Sequence, residues 1–305
     1  MEFIKKYLYV CDHRGFFDLT QETFQNRWFP AQINLTADVK CLGSLSEKEV
    51  AFYKYLFTFL GMAETLVNFN IDELVAGFEI HDVKHYYCEQ MAMECVHGKV
   101  YFNILNMLFK NNIAETRAFA ESVLEDEPLR KKLQWLEGKI KTAESAAEKV
   151  LIFYLIEGIF FISSFYCIGL LRVKGVMPGV CMANDYISRD ELLHTRAAAL
   201  LYNTVIPQEG KPSEAWIIDL FKEAVSIEDE FIRAKSGEVG FVNVADIRRF
   251  LEATADRLLN SIGLPVHFKS EPPKSCPLTY TGCIKNVSFF ERESTEYSTF
   301  IINDL

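Results

Sequence analysis

Two short stretches place a carboxylate and an imidazole one helical turn apart. AMECVHGKVY (92–101) carries Glu94, His97 and Tyr101, and SRDELLH (188–194) carries Glu191 and His194. At about 100° per residue, Glu94, His97 and Tyr101 fall within about 60° of one another on a helix. A single Glu-x-x-His is weak, because an ordinary surface pair has the same spacing. Two of them on separate long helices form the pattern of di-iron and di-manganese carboxylate bundles, which draw one further Glu from each of two other helices.

Two glutamates fit that role. Glu157 is the isolated charge in VLIFYLIEGIFFISSFYCIGLL (150–171), and Glu64 shares a helical face with Phe57, Leu60, Val67 and Ile71. A carboxylate in an apolar stripe costs on the order of several kcal/mol unless it is paired or bound to metal. Those faces carry no Lys or Arg. Two divalent ions would neutralise Glu64, Glu94, Glu157 and Glu191 together. A donor set of carboxylates with only two imidazoles suits iron, and less well manganese, rather than structural zinc. Taken singly, each residue also reads as a hydrogen-bonded acid or a surface contact; the set of six favours metal. His81 and His85 have ligand spacing too, but they point about 140–180° away from Glu94 around the same helix and read as solvated or interfacial. Tyr101 lies one turn beyond His97, about 6 Å along the axis. A metal pair that activates oxygen can oxidise such a phenol, and Phe161, Phe165 and Ile187 are placed to shield it.

The elements that must hold these residues are helices. Apolar periodicity predicts an all-α chain, with helices starting at Ser46, where Ser-Glu-Lys-Glu has capping-box spacing, and then over about 81–110, 113–139, 146–173, 183–204, 212–235 and 243–262. Residues 150–171 are long enough for a membrane span, but Glu157 has a reason to be central in a bundle, so the segment is read as a buried helix. Half of the residues are hydrophobic, which allows a large core, and a net charge of −10 argues against nucleic acid or an anionic membrane as partner. Eight scattered cysteines without a CxxC pair, and an N-terminus without the apolar core of a signal peptide, predict a reducing, cytoplasmic setting. Residues 1–267 read as one domain whose first 25 residues form a short arm, and 268–305 as a flexible tail.

AMECVHGKVY, IEGIFFISSF and YISRDELLH together resemble the small subunit of class I ribonucleotide reductase. NRWF, FYKYLFTFL, LIEGIFF, ATADRLL and the terminal NDL are similar to its herpesvirus type, and the likeness covers nearly the whole chain. The resemblance implies a ferritin-like helical bundle, a homodimer, and a non-haem centre of two iron ions that uses oxygen to form a tyrosyl radical. That radical passes to a separate large subunit, which reduces ribonucleoside diphosphates to deoxyribonucleotides. By position, the iron ligands are Glu64, Glu94, His97, Glu157, Glu191 and His194. Tyr101 holds the radical in the pocket of Phe161, Phe165 and Ile187. The transfer route runs through His97, Asp190 and Trp28, with Tyr297 as the last relay. In the tail YSTFIINDL, Phe300, Ile301, Ile302 and Leu305 are the anchors on the large subunit, and a viral chain of this kind would work in the host cytoplasm. Glu64 departs from the aspartate common in cellular members, which alters the expected geometry at that ion. The alternative is a stand-alone ferritin-like di-iron oxidase or oxygenase; Tyr101, Asp190, Trp28 and the tail count against it.

Overall fold

A computed structural model describes residues 7–278, apart from residue 238 and the side chain of residue 69, and every regular element among them is a helix. Tyr297, Phe300, Ile301, Ile302 and Leu305 lie outside the described residues. The helices are α1 (Arg14–Asn26), α2 (Thr36–Cys41), α3 (Glu47–Ala76), α4 (His81–Leu108), α5 (Ile113–Leu124) and α6 (Glu127–Thr142). They continue with α7 (Ala146–Leu155), α8 (Ile162–Lys174), α9 (Pro178–Thr204), α10 (Glu214–Ser236) and α11 (Val244–Ser261).

Local chemistry explains most of these boundaries. The capping box at Ser46 forms as expected, with the Glu49 amide donating to the Ser46 hydroxyl and the Ser46 amide to the Glu49 carboxylate. Residues 77–80 then return the chain so that α3 and α4 pack along each other. Lys110 and Asn111, both with positive φ, close α4. Gly175, at φ 75°, closes α8 with its amide bonded back to the Arg172 carbonyl.

Four expectations are corrected. The arm contains most of a helix, α1, and is part of the core: Phe16 is fully buried and Leu19 nearly so. The segment 113–139 is two helices, because Pro128 fits the first turn of a new helix, where a missing N–H leaves no bond unmade. The segment 146–173 is interrupted at Ile156–Phe160 by one wide π turn, with Glu157 inside it. And α9 begins at Pro178 rather than near 183, because buried Asp38 accepts hydrogen bonds from the Gly179 and Val180 amides, supplying from α2 the partners that a helix start lacks.

The apolar segment is core. Of the most apolar window within residues 146–174, mean hydropathy 2.0, 94% is buried inside the bundle. Helices α3, α4, α7 with its wide turn, and α9 surround the centre, α1 crosses α4 and α9, and α10 packs on α6 and α11. Residues 268–278 are anchored at their start: one carboxylate, Asp256, accepts from the amides of His267, Phe268 and Lys269.

The start of α9 is the tightest backbone contact at a glycine in this frame. A Cβ on Gly179 would lie 2.3 Å from the Asn34 carbonyl oxygen and 2.7 Å from Asp38 Oδ2, whereas one on Gly138, an exposed position of α6, meets nothing within 4 Å. Gly179→Ala is therefore expected to destabilise the protein by about 1–3 kcal/mol through overpacking. Gly138→Ala should stabilise it by about 0.5–1 kcal/mol through helix propensity. Urea unfolding of both variants checks the opposite signs.

Candidate metal centre

The six metal-binding candidates meet at the centre of the bundle. Glu64 comes from α3, Glu94 and His97 from α4, Glu157 from the wide turn, and Glu191 and His194 from α9; each is no more than 3% exposed. They form two overlapping groups, Glu64–Glu94–His97–Glu191 and Glu94–Glu157–Glu191–His194, with potential ligand atoms in each group all within 4.8 Å of one another.

The two imidazoles divide the centre into halves. His97 Nδ1 lies 3.1 Å from Glu94 Oε2, 3.1 Å from Glu191 Oε1 and 3.7 Å from Glu64 Oε1. His194 Nδ1 lies 3.0 Å from Glu94 Oε1, 3.1 Å from Glu191 Oε2 and 3.8 Å from Glu157 Oε2. Glu94 and Glu191 thus direct one oxygen to each half, the geometry of bridging carboxylates, while Glu64 and Glu157 each serve one half. Spacing alone pointed to a binding role for Glu191 without its bridging geometry, since the direction of each oxygen depends on which imidazole stands opposite.

The donor atoms fit a metal pair. Both Glu64 oxygens, Glu94 Oε2, Glu157 Oε2, Glu191 Oε1 and His97 Nδ1 are buried and make no hydrogen bond within the described residues. Buried polar atoms left unpaired are rare and costly, and here they converge rather than scatter. His97 Nδ1 is close to three carboxylates without meeting any at a hydrogen-bonding angle. Convergent lone pairs of this kind are what coordination requires.

The carboxylates and imidazoles of the centre shift one another's proton affinity. Burial, and then the charge of Glu94, raise the Glu64 carboxyl well above its usual range. Burial, then Glu191 and Glu94, raise Glu157 likewise. Burial would also raise Glu94, but His194 and His97 hold it well below the usual range. Burial and Glu94 work against Glu191, which His194 and the hydrogen bond to Glu157 nevertheless lower. Burial alone would lower both imidazoles. The Asp190 hydrogen bond and the nearby Glu191, Glu64 and Glu94 raise His97, and Glu94 and Glu191 raise His194. Glu64 and Glu157 thus lean towards their neutral form, and Glu94, Glu191 and both imidazoles towards their charged form.

Around the centre, Asp190 joins two of the expected transfer residues. Its Oδ2 accepts from Trp28 Nε1 at 2.7 Å and sits 3.2 Å from His97 Nε2, while Arg189 binds Oδ1. The Trp28 and His97 rings are stacked with centroids 6.0 Å apart. Tyr101 is buried and its hydroxyl makes no hydrogen bond within the described residues; burial and then the charge of Glu64 raise its phenol well above the usual range. Phe161, Phe165 and Ile187 are all buried, and Phe161 packs on Phe165 and Phe59. The ring against Tyr101 is Phe57, 6.0 Å away, which spacing had assigned to the face of Glu64.

Sequence reasoning missed Gln90, whose amide donates to Glu94 Oε1 at 3.2 Å and Glu157 Oε1 at 3.1 Å. Its signal was available, since Gln90 precedes Glu94 by four residues on the same helical face. His81 and His85 stand apart from the centre, and His85 packs against Tyr9. A cleft of about 610 Å³ between α1, α9 and α11 reaches the centre from outside, with Glu157 and Glu191 in its lining. Tyr101 and Glu64 are not among the cleft's residues, so the half nearest the phenol is the more enclosed.

A family model described as ribonucleotide reductase, small chain, matches residues 5–277. The chain is 81% identical over 305 residues, 100% of both chains, to the ribonucleoside-diphosphate reductase small subunit of Alcelaphine herpesvirus 1 (strain C500). Its fold is similar to that of the ribonucleotide reductase Rnr4 homodimer from Saccharomyces cerevisiae, with a TM-score of 0.80 and 22% identity over 95% of this chain and 89% of that one. It is also similar to dimanganese(II)-NrdF of Streptococcus sanguinis, with a TM-score of 0.80 and 20% identity over 90% of this chain and 97% of that one.

Metal uptake at such a centre must displace protons. Glu64, Glu157, His97 and His194 all have raised values, so each holds its proton more tightly than the free group does and coordination must compete with that proton. Divalent ions should therefore release protons as they bind, and binding should tighten as pH rises. An indicator dye in weakly buffered solution measures the release; none would contradict the assignment of these protons.

Proposed function

The chain belongs to the ribonucleotide reductase small-chain family, and from that premise we propose that it generates and stores the radical of a herpesvirus ribonucleoside-diphosphate reductase. The observation that carries this reading is the placement of Tyr101, buried, one helical turn from His97 and beside the more enclosed half of a six-residue ligand set. Glu64, Glu94, His97, Glu157, Glu191 and His194 would hold two iron ions, with Glu94 and Glu191 between them. Bound there, the iron pair supplies the oxidising power, drawn from dioxygen, that a phenol needs in order to lose an electron. Carboxylate-rich donors suit iron or manganese, and iron is the ion we assign.

The protein's own residues do the rest. Because the Tyr101 phenol is held well above its usual range, the neutral phenol is the form that would give up an electron, and its proton would pass to the carboxylate-lined centre beside it, leaving a neutral radical. Phe57 packs beside that ring, and Phe161, Phe165 and Ile187 contribute to the buried apolar core. Gln90 orients Glu94 and Glu157 by donating to both. Asp190 fixes His97 through Nε2, leaving Nδ1 for metal, and the same carboxylate oxygen accepts from Trp28. His97, Asp190 and Trp28 therefore form a continuous hydrogen-bonded path for an electron and a proton, ending at Trp28 just beyond the last residue of α1. A stand-alone oxidase has no need of such a path.

The oxidising equivalent is used in a separate large subunit, where ribonucleoside diphosphates become deoxyribonucleotides for DNA synthesis. Tyr297 is the last relay on this chain, and Phe300, Ile301, Ile302 and Leu305 are the anchors on the partner. The working form is a homodimer in the host cytoplasm.

Addition of ferrous iron and oxygen to the apoprotein should give a tyrosyl signal in electron paramagnetic resonance. Tyr101→Phe should abolish that signal with iron binding intact, and removal of residues 297–305 should leave the signal but abolish turnover with the large subunit. An iron-loaded wild type without an organic radical would contradict the reading.

A further inference from the structure

Lys132, on α6, is the only lysine or arginine among the described residues that is wholly buried. Its ammonium donates to the carbonyl of Phe160 at 2.7 Å and to Glu228 Oε2, on α10, at 2.6 Å. It also lies 3.7 Å over the ring of Phe59 and 4.1 Å over that of Phe231. The other Glu228 oxygen accepts from the hydroxyl of Ser163, on α8. Three helices thus converge, through side chains alone, on the last residue of the wide turn.

That turn carries Glu157, three residues before Phe160. A π turn widens a helix by one residue, so it resets the angle at which side chains before and after it project. Such a turn persists only where its surroundings hold it. On one side, packing does so: a Cβ on Gly158 would lie 2.6 Å from Leu258 and 3.2 Å from Thr195, so α11 and α9 press directly on the turn. Its C-terminal edge is held by Lys132. The ring of Phe161, next in the chain, packs on Phe59, which the same ammonium faces.

We propose that Lys132, Glu228 and Ser163 form a buried clamp on the wide turn, making Lys132 a positioning residue for Glu157 and for the aromatic wall at Phe161. The inference rests on the reading of Glu157 as a metal ligand. Stability does not account for the trio. Burial pushes the Lys132 ammonium down to about 8 in spite of Glu228, and pushes the Glu228 carboxyl up in spite of Lys132. Both ions therefore work against their burial, and replacing such a pair by apolar residues of similar volume is commonly neutral or stabilising. What an apolar pair cannot supply is a donor aimed at the Phe160 carbonyl. Directionality is the property that the clamp adds.

The test is a titration of apoprotein with manganese(II), followed by loss of the free-ion resonance and by the coupled dimanganese signal. Wild type should bind two ions per chain. In Lys132→Met/Glu228→Leu, which leaves no uncompensated charge, the melting temperature should hold or rise. The first ion should bind as in wild type and the second about tenfold more weakly, the scale for losing a residue that supports a ligand, with the coupled signal altered. Ser163→Ala keeps both charges and should weaken the second ion by a smaller factor, which provides a reading even if the double variant does not fold. A folded double variant, or Ser163→Ala where the double variant does not fold, that binds two ions with wild-type constants and an unchanged coupled signal overturns the clamp. A wild type that binds fewer than two ions overturns the metal reading, and the clamp with it.

Discussion

Four carboxylates and two imidazoles are packed into a space from which water is largely excluded, and the surrounding architecture can be understood as a response to that. Each ion alone would be expelled from such an interior. Together they offset one another, imidazole against carboxylate when metal-free, and two divalent ions would offset the four carboxylates when loaded. Both states need the same convergent geometry, so four helical segments must be held rigidly enough that six side chains meet. The capping of α9 by Asp38, the close fit at Gly179 and the packing of α11 on Gly158 all serve that end.

The arrangement is asymmetric in a way that suits its proposed chemistry. The cleft between α1, α9 and α11 approaches the Glu157 and Glu191 side, whereas Tyr101 lies beside Glu64 in the more enclosed half. From His97 the contacts continue to Asp190 and on to Trp28, neither of which lines the cleft. In the proposed function one imidazole would thus serve two ends, one per nitrogen, with the Asp190 carboxylate joining it to Trp28.

Much of the centre was legible in the sequence because ligand sets on helices obey the helical period. Glu94 with His97, Glu191 with His194, and the lone acids Glu64 and Glu157 in apolar stripes needed only spacing and the cost of a buried charge. Gln90 was legible by the same rule and was overlooked because an amide carries no charge to explain. The wide turn was not legible. Its sequence, IEGIF, is an unbroken continuation of an apolar helix, and what widens it lies elsewhere, in Leu258, Thr195 and Lys132. The early start of α9 is of the same kind, since its cap comes from Asp38, far back in the chain. The division near Asp126 should have been read, because Pro128 marks it. Helix α1 was missed for a different reason: its pattern is short, and its burial depends on α4 and α9 being present to receive it.

The central claim is that six buried side chains form two halves of one metal centre, sharing Glu94 and Glu191. Anomalous diffraction from crystals of the protein loaded with ferrous iron under anaerobic conditions tests it most directly. The account predicts two peaks per chain, about 3.5–4 Å apart, one beside His97 and one beside His194, both bounded by Glu94 and Glu191. A single peak, or iron at His81 and His85 instead, would contradict it.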